Sequence, residues 1–230
     1  MKKDKKYRHE LKYLCSNGEL EILKIRLNTI MKLDSHTNKQ GWYHIRSIYF
    51  DNYDNTNVSD NEDGVSPREK WRIRIYNNSD EKITLECKRK ECGKILKQGT
   101  ILTKKQFDGI IKGERIEISD ENSFLLNKFL VLRQIQRFEP KVIVGYDRRP
   151  YIYTAGNVRV TFDCNIFSSP DVQDLFSKNI RKRMILPHGQ NLIEIKYDEY
   201  IPDFIFNSIQ MTNMQQITFS KYYLCRKYNL

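Results

Sequence analysis

Charged and apolar residues alternate without a break along the stretch 70–76, which reads Lys-Trp-Arg-Ile-Arg-Ile-Tyr. Successive side chains of a β-strand point to opposite faces of a sheet. All the cations of this stretch therefore share one face with Tyr76, and Trp71 shares the other face with the two isoleucines. An ordinary surface strand has the same pattern, so this stretch alone favours a strand with a solvated polar face.

The alternation recurs along the chain with similar chemistry on the polar face. The polar positions of the other segments are Arg8, Glu10 and Lys12; Thr84, Glu86, Lys88 and Lys90; Tyr146 and Arg148; Arg159, Thr161 and Asp163; and Glu194, Lys196 and Asp198. Gathered in one sheet, these faces place many cations around a few carboxylates, whereas a solvated surface mixes the two signs more evenly. The pattern predicts a polar face that encloses a ligand.

The pattern of strands and helices predicts an α+β fold, namely an eight-stranded closed antiparallel β-tunnel with flanking helices. The predicted strands lie near 6–14, 43–50, 68–77, 81–90, 94–102, 140–153, 157–165 and 191–199. Helical periodicity appears near 17–32, 103–112, 121–137 and 213–227. These helices would cover the apolar outer faces of the strands. One domain over 1–230 is the simplest organisation, with a long loop at 51–67.

Turn and capping signals support these boundaries. The stretches 77–80 and 155–157, rich in Asn, Ser and Gly, predict hairpin turns. Thr103 followed by Gln106 predicts a helix-capping box, and Ser119 predicts a weaker cap before the next helix.

The net charge of +11 predicts an anionic partner. Nucleic acid is disfavoured, because cations that face a narrow lumen cannot follow a duplex and no platform of exposed aromatic residues is evident. The chain also lacks the Gly-x-x-x-x-Gly-Lys-Ser/Thr loop of common nucleotide-binding proteins.

The five cysteines do not form a metal-binding pattern, and no apolar run is long enough to span a bilayer. The polar start of the chain does not resemble a secretory signal. The expectation is a soluble cytoplasmic protein with reduced thiols.

Four carboxylates fall among the cations of the polar faces, namely Glu10, Glu86, Asp163 and Glu194. Each of them has two interpretations. It either neutralises a neighbouring Lys or Arg, or it supplies hard oxygen ligands to Mg²⁺ or Mn²⁺ beside phosphate oxygens.

Several segments resemble, in order, those of the VTC domain, the catalytic domain of the vacuolar transporter chaperone in the triphosphate tunnel metalloenzyme (CYTH-like) superfamily. They are Arg8-His9-Glu10-Leu11-Lys12-Tyr13, Arg46-Ser47-Ile48-Tyr49-Phe50-Asp51, Lys70-Trp71-Arg72-Ile73-Arg74, Leu85-Glu86-Cys87-Lys88, Tyr146-Asp147-Arg148, Arg159-Val160-Thr161-Phe162-Asp163, Glu194-Ile195-Lys196 and Phe219-Ser220-Lys221-Tyr222. Each motif is short, but their order over nearly the whole chain is specific.

The resemblance implies an ATP-dependent polyphosphate polymerase that uses a divalent metal, Mn²⁺ or Mg²⁺. Its catalytic cations would be Arg72, Arg74, Lys88, Arg148, Arg159 and Lys196. Further substrate contacts would come from Arg8, Lys12, Lys70, Lys90, Tyr146, Ser220 and Lys221. Glu194 would hold the metal, with Glu86, Asp163 and Glu10 as further candidates. The expected partners are ATP and inorganic polyphosphate, and a membrane partner is left open.

One departure separates this chain from the hydrolases of that superfamily, whose first strand typically reads Glu-x-Glu-x-Lys. Here Arg8 takes the first position, so the pair of glutamates is broken. This favours a polymerase, whose attacking phosphate is already anionic and needs no strong general base. Two alternatives stay open: hydrolysis of tripolyphosphate or a nucleoside triphosphate, and a noncatalytic module that binds polyphosphate or inositol phosphate.

Overall fold

Antiparallel strands make up most of the described chain, which covers residues 7–211 and 214–227 of this computed structural model. The strands are β1 (His9–Ser16), β2 (Lys32–Leu33), β3 (Tyr43–Asp51), β4 (Arg68–Tyr76), β5 (Ile83–Glu91), β6 (Lys94–Leu102), β7 (Glu139–Tyr153), β8 (Val158–Ser169), β9 (Arg183–Met184) and β10 (Gln190–Tyr197). The helices are α1 (Asn17–Ile30), α2 (Thr56–Glu62), α3 (Lys104–Lys112), α4 (Phe124–Gln136), α5 (Asp203–Ile209) and α6 (Lys221–Lys227).

The long strands form one curled antiparallel sheet in the order β1-β10-β8-β7-β3-β4-β5-β6. The sheet has ten strands instead of the predicted eight, because β2 pairs with an end of β7 and β9 with an end of β8, and both are too short to show a periodic pattern. The fold is therefore α+β, a curled half-barrel with flanking helices. Its order is open, with β1 and β6 as the two edges.

The two edges of the sheet meet at one residue pair within the described residues. Arg8 and Ile95 exchange two backbone hydrogen bonds, each 3.0 Å long. A continuous ladder between β1 and β6, which the predicted closed tunnel requires, is not formed over the described part of the chain.

The convex face of the sheet is apolar and is covered by helices on two sides. On one side Phe107 of α3 and Phe129 of α4 belong to a buried cluster with Trp71 and Ile48. On the other side α1 and α5 pack on β8 and β10, with Leu23, Leu27, Val160, Ile193 and Ile205 in the cluster. Burial of each such side chain contributes about 1.5–3 kcal/mol, so the helices hold the curvature of the sheet.

Helix α6 packs against the concave face. Tyr222 stacks on Tyr49 of β3 with ring centroids 5.0 Å apart, and its hydroxyl donates to the buried Asp51 at 2.6 Å. Val144 and Leu192 complete the apolar surroundings of the helix. The C-terminal helix therefore fills part of the space that the curled sheet surrounds.

The helix boundaries differ from the predictions where helices are short. The loop predicted at 51–67 contains α2, and α5 was not predicted, because seven residues show too little periodicity. The predicted helix at 213–227 begins at Lys221, since Gln216 pairs with Tyr13. Residue 213, like residue 6 at the start of the first predicted strand, lies outside the described residues.

The capping signals are partly confirmed. Thr103 and Gln106 form the predicted capping box of α3, whereas α4 is capped by Ser123 and not by Ser119. Among the helices that the structure describes, none is long and apolar enough to cross a bilayer.

A close contact at Gly145 allows the packing between β7 and β8 to be tested. A Cβ atom added to Gly145 of β7 would lie 2.1 Å from the ring of Phe167, which is buried on β8. We expect Gly145→Ala to destabilise the fold by about 1–3 kcal/mol through overpacking and to lower the melting temperature by several degrees.

Gly18→Ala is the matched control, because a Cβ at Gly18 in α1 meets no atom within 4 Å. That change should leave the melting temperature unchanged or raise it, as alanine favours a helix. Equal melting temperatures for the two variants, measured by differential scanning calorimetry, would contradict the predicted contact.

Candidate functional site

The polar faces predicted from the alternation are brought together on the concave side of the sheet. The cations of this surface, called the lumen below, are Arg8, Lys12, Lys70, Arg72, Arg74, Lys88, Lys90, Lys97, Arg148, Arg159, Lys196 and Lys221. Its carboxylates are Glu10, Glu86, Asp163 and Glu194. Lys221 comes from α6, and the others from strands or, in the case of Arg8, from the residue before β1.

Glu194 of β10 lies at the centre of the densest cluster. Its oxygens are 2.6 Å from the ammonium nitrogen of Lys221, 2.8 Å from that of Lys196 and 3.3 Å from the guanidinium of Arg148. Burial on its own would raise the pKa of Glu194, but the surrounding cations, Lys196 first, hold that pKa well below its ordinary value. Glu194 is therefore a buried, ionised carboxylate.

Asp163 of β8 orients two of the same cations. The Nε and an amino group of Arg148 each donate to Asp163 at 2.6 Å, which is the bidentate geometry of a strong ion pair. The ammonium of Lys221 lies 2.6 Å from Asp163. Despite burial, the two carboxylates raise the pKa of Lys221 above its ordinary value. The charge of Lys221 therefore persists inside the fold.

Glu86 of β5 forms a second cluster with residues of β4 and β6. Arg72 contacts one carboxylate oxygen of Glu86 at 2.6 and 2.8 Å, and Lys97 contacts the other at 2.5 Å. The sequence analysis missed Lys97, which lies opposite Lys88 in the register of β5 and β6. The apolar residues of 94–102 do not alternate regularly, so the face of Lys97 was not evident from sequence.

The side chain of Glu10 connects β1, one edge of the sheet, to the β5–β6 hairpin, which carries the other edge. Its carboxylate lies 2.9 Å from the ammonium of Lys12 on the same strand and 3.1 Å from that of Lys88 on β5. The Glu10–Lys88 ion pair thus reaches across the gap between β1 and the β5–β6 hairpin.

Neutral hydroxyl groups hold several lumen arginines. Arg72 donates to the hydroxyl of Tyr49 at 2.8 Å, and Arg74 donates to that of Tyr146 at 3.1 Å. Arg159, nearer one mouth of the lumen, donates to the hydroxyl of Tyr43 at 3.0 Å. These partners orient the guanidinium groups without neutralising them. The sequence analysis named Tyr146 alone, although Tyr43 and Tyr49 alternate along β3.

Two residues at the mouths of the lumen have partners outside the central clusters. Arg8 lies 2.9 Å from Asp198, and Arg159 lies 2.8 Å from Asp34, a carboxylate that the sequence analysis did not single out. Neither of these ion pairs involves Glu194.

Burial lowers the pKa values of four lumen lysines, Lys70, Lys88, Lys90 and Lys97, and the change is largest for the first two. Burial, with a smaller contribution from neighbouring cations, lowers the pKa of Lys70 and that of Lys88 to about 7. Lys70 donates to the side-chain oxygen of Asn61 at 2.7 Å and to the hydroxyl of Ser220 at 2.9 Å. Lys70 and Lys88 therefore change charge near neutral pH.

The donor set limits how a metal ion would be held. Across residues 7–211 and 214–227, no three His, Cys, Asp or Glu side chains are grouped as a metal cage. Glu10 and Glu194 are nonetheless close enough to share Lys12 and Lys196, each within 4.0 Å of both carboxylates. Mg²⁺ is commonly bound by one or two carboxylates plus ligand oxygens and water. The pair fits such a site when an anionic ligand supplies the remaining oxygens.

Comparison with known families gives one match over nearly the whole chain. The sequence profile of the VTC domain family matches residues 7–229. No curated protein matches the chain.

Comparison with solved structures gives matches at low sequence identity. The Hippeastrum protein HpAC1, described as an adenylyl cyclase candidate with a dominant triphosphatase activity, is 13% identical, with a TM-score of 0.58 and coverage of 97% of both chains. An adenylate cyclase candidate from Bacillus halodurans is 15% identical, with a TM-score of 0.49 and coverage of 89% of this chain and 87% of the other. The Mimivirus capping enzyme triphosphatase is 11% identical, with a TM-score of 0.37 and coverage of 90% and 87%. At these identities the likeness to HpAC1 shows the fold alone.

The pKa values of Lys70 and Lys88 predict pH-dependent anion binding. With pKa values of about 7, both lysines are mostly charged at pH 6 and mostly neutral at pH 9, whereas sulfate stays a dianion throughout. We expect the affinity for sulfate to fall about tenfold or more between pH 6 and pH 9, since each lost charge-assisted contact costs about 1.5–3 kcal/mol. Isothermal titration calorimetry at constant ionic strength measures this.

The double variant Lys70→Met with Lys88→Met is the comparison. It should bind sulfate weakly at both pH values and lose most of the pH dependence. Equal affinity of the unmodified protein at pH 6 and pH 9 would show that these two lysines do not titrate in this range.

Proposed function

The chain belongs to the VTC domain family, and from that membership and the charge of the lumen we propose that it is an ATP-dependent polyphosphate polymerase. It would transfer the γ-phosphoryl group of ATP to a growing inorganic polyphosphate chain inside a basic tunnel. The observation that carries the proposal is the gathering of cations from separate strands and from α6 on one concave face.

A polyanion accounts for the excess positive charge of this face. The lumen cations outnumber the four carboxylates, and several are buried, including Arg74, Arg148 and Lys221. Like charges in a low-dielectric wall repel one another, so the arrangement is favourable only when an anion lies among them. A chain of phosphates supplies negative charge at regular intervals along the whole lumen.

Phosphoryl transfer requires positioning and charge stabilisation far more than covalent participation of the protein. Asp163 fixes the guanidinium of Arg148, and Glu86 with Tyr49 fixes that of Arg72. Donors held in place before the substrate binds need little rearrangement to oppose the repulsion between the two reacting phosphates. The terminal phosphate of the acceptor chain is already anionic, so no general base is needed.

We propose that Glu194, with Glu10 beside it, holds Mn²⁺ or Mg²⁺ together with phosphate oxygens. The ion would neutralise charge on the oxygens that bridge the reacting groups. For Asp163 and Glu86, the other predicted metal ligands, we propose a different role. Each takes two contacts from a single arginine, Asp163 from Arg148 and Glu86 from Arg72, whereas Glu10 and Glu194 contact mainly lysine ammonium groups. Asp163 and Glu86 would therefore orient guanidinium groups.

We further propose that the lumen is a closed tunnel when substrate is bound. The Arg8–Ile95 pair and the Glu10–Lys88 ion pair already bring β1 next to β5 and β6. A phosphate chain lying between Lys12, Lys88 and Lys97 would draw these edges together. The predicted β-tunnel therefore stays part of the proposed function.

Hydrolysis of tripolyphosphate or a nucleoside triphosphate is the competing activity, because it uses the same phosphate contacts. Water would then replace the phosphate acceptor, and a base would have to accept its proton. Arg8 stands where the hydrolases have their first glutamate, and it donates to the carbonyl of Asn157. This substitution favours transfer to phosphate over transfer to water.

The product distinguishes the two activities. We expect the protein to convert ATP and Mn²⁺ into an acid-stable phosphate polymer that is resolved on a gel, and excess chelator should abolish synthesis. Glu194→Gln should reduce turnover at least a hundredfold while the fold persists, because the amide keeps the shape but loses the negative charge that a hard cation needs. Release of orthophosphate without polymer would identify a hydrolase.

Removal of a lumen cation tests whether the position of the charge matters. Arg72→Ala should lower kcat/KM about ten- to a hundredfold, because a charge-assisted phosphate contact contributes about 1.5–3 kcal/mol. Arg115→Ala removes the same formal charge from an exposed site after α3 and should have little effect. Equal losses in the two variants, with melting curves that show both folded, would contradict the lumen as the site of chemistry.

A further inference from the structure

A second basic site lies on the convex side of the sheet, outside the lumen. It is an open cleft of ≈ 420 Å³ between the start of β3, the β4–β5 turn and the segment that leads into β9. His44, Arg46, Asn78, Asp147, Lys178 and Lys182 supply its polar surface. None of these residues has a role in the proposed transfer reaction.

Arg46 is an unusual residue for this face. It alternates with Ile45 and Ser47 along β3 and so points away from the lumen, yet its side chain is only 2% exposed. Its guanidinium donates to the carbonyl oxygens of Leu175 at 2.9 Å and Ser177 at 2.5 Å. These neutral acceptors anchor one amino group of Arg46 and leave its positive charge uncompensated.

The third hydrogen bond of Arg46 defines the state of His44. The Nε of Arg46 donates to Nε2 of His44 at 3.3 Å, so the proton of the imidazole is on Nδ1. Nδ1 then donates to Asp147 at 2.8 Å, and Asn165 donates to the other oxygen of Asp147 at 2.8 Å. The carboxylate of Asp147 is thus engaged by His44 and Asn165.

Within the described residues, no carboxylate lies within ion-pair distance of Arg46, and its second amino group makes no hydrogen bond. A buried cation is costly unless an anion or strong acceptors satisfy it. The guanidinium therefore presents two N–H groups and an uncompensated charge beside the cleft.

Two features of the cleft add to the attraction for an anion. Lys178 and Lys182 are exposed and have no ion-pair partner in the part of the chain that the structure describes. The side-chain oxygen of Asn78 is buried without a hydrogen-bond partner, and rotation of that amide would put two N–H donors in its place.

We propose that this cleft binds a phosphate dianion, either free orthophosphate or the phosphoryl end of a larger molecule. The free amino group of Arg46 offers two N–H donors to phosphate oxygens, and the two lysines at the rim supply further positive charge for the second negative charge. Arg46, Lys178 and Lys182 carry three positive charges and Asp147 one negative charge, so a dianion balances the cleft and the single charge of a carboxylate ligand does not. The inference does not depend on the polymerase activity, since the site and the lumen lie on opposite faces of the sheet.

The experiment is a titration of the full chain with orthophosphate, followed by the backbone amide resonances of 44–46, 78 and 178–182 in NMR spectra. We expect saturable shifts at these amides that sodium chloride of equal ionic strength does not produce. The double variant Lys178→Ala with Lys182→Ala should weaken this binding about tenfold. Lys105→Ala with Lys112→Ala, which removes two exposed charges from α3, is the matched control and should bind normally.

Further titrations identify which phosphate compound binds and separate binding at this cleft from binding in the lumen. Saturable shifts with tripolyphosphate alone would assign the site to the end of a phosphate chain, and saturable shifts with orthophosphate would assign it to the free ion. Arg72→Ala should leave the titration of these amides unchanged. Arg46→Lys keeps the charge but cannot both retain the contacts to Leu175 and Ser177 and place a free amino group beside the cleft, so it should also weaken binding. The proposal is overturned if the shifts stay linear in the concentrations of both orthophosphate and tripolyphosphate, if acetate causes equal shifts, or if both double variants respond alike.

Discussion

The structure depends on the ion pairs that hold many positive charges on one concave face. Asp163 and Glu194 neutralise part of the charge of Arg148, Lys196 and Lys221 and keep these side chains in fixed positions. Because Lys221 belongs to α6, the same two carboxylates also tie the C-terminal helix to β8 and β10. The apolar convex face and its helices supply the free energy that offsets the repulsion among the remaining cations.

The lumen cations have two kinds of partner, carboxylates and neutral hydroxyl groups. Carboxylates pair with Arg72, Arg148 and Lys221, whereas Arg74 is oriented mainly by the hydroxyls of Ser47 and Tyr146. A hydroxyl fixes the direction of a guanidinium and leaves its charge available. The lumen is therefore organised before any ligand binds and remains strongly positive. These are the properties that electrostatic catalysis of phosphoryl transfer requires.

A single strand contributes to both basic surfaces of the molecule. Along β3, Tyr43, Ser47 and Tyr49 support arginines of the lumen, and the intervening Arg46 reaches the cleft on the convex side. Successive side chains of a strand point to opposite faces, so neighbouring residues of β3 belong to the two different surfaces, on opposite sides of the sheet. A ligand in the lumen and a ligand in the cleft can therefore lie close to each other without contacting the same side-chain atoms.

The alternation of charged and apolar residues determined the strands and the face of each side chain, because strand geometry is local and repeats every two residues. It placed nearly all lumen cations and the four carboxylates on one side of the sheet. Only the tertiary structure decided which charges meet: Glu10 with Lys88 across the sheet edges, Glu86 with Lys97, and Lys221 with Glu194 through α6. It also decided that the edges touch at one pair, and that Arg46 stays buried without a carboxylate. These pairings depend on the register of neighbouring strands, on the curvature of the sheet and on the packing of α6, for which a periodic pattern carries no information.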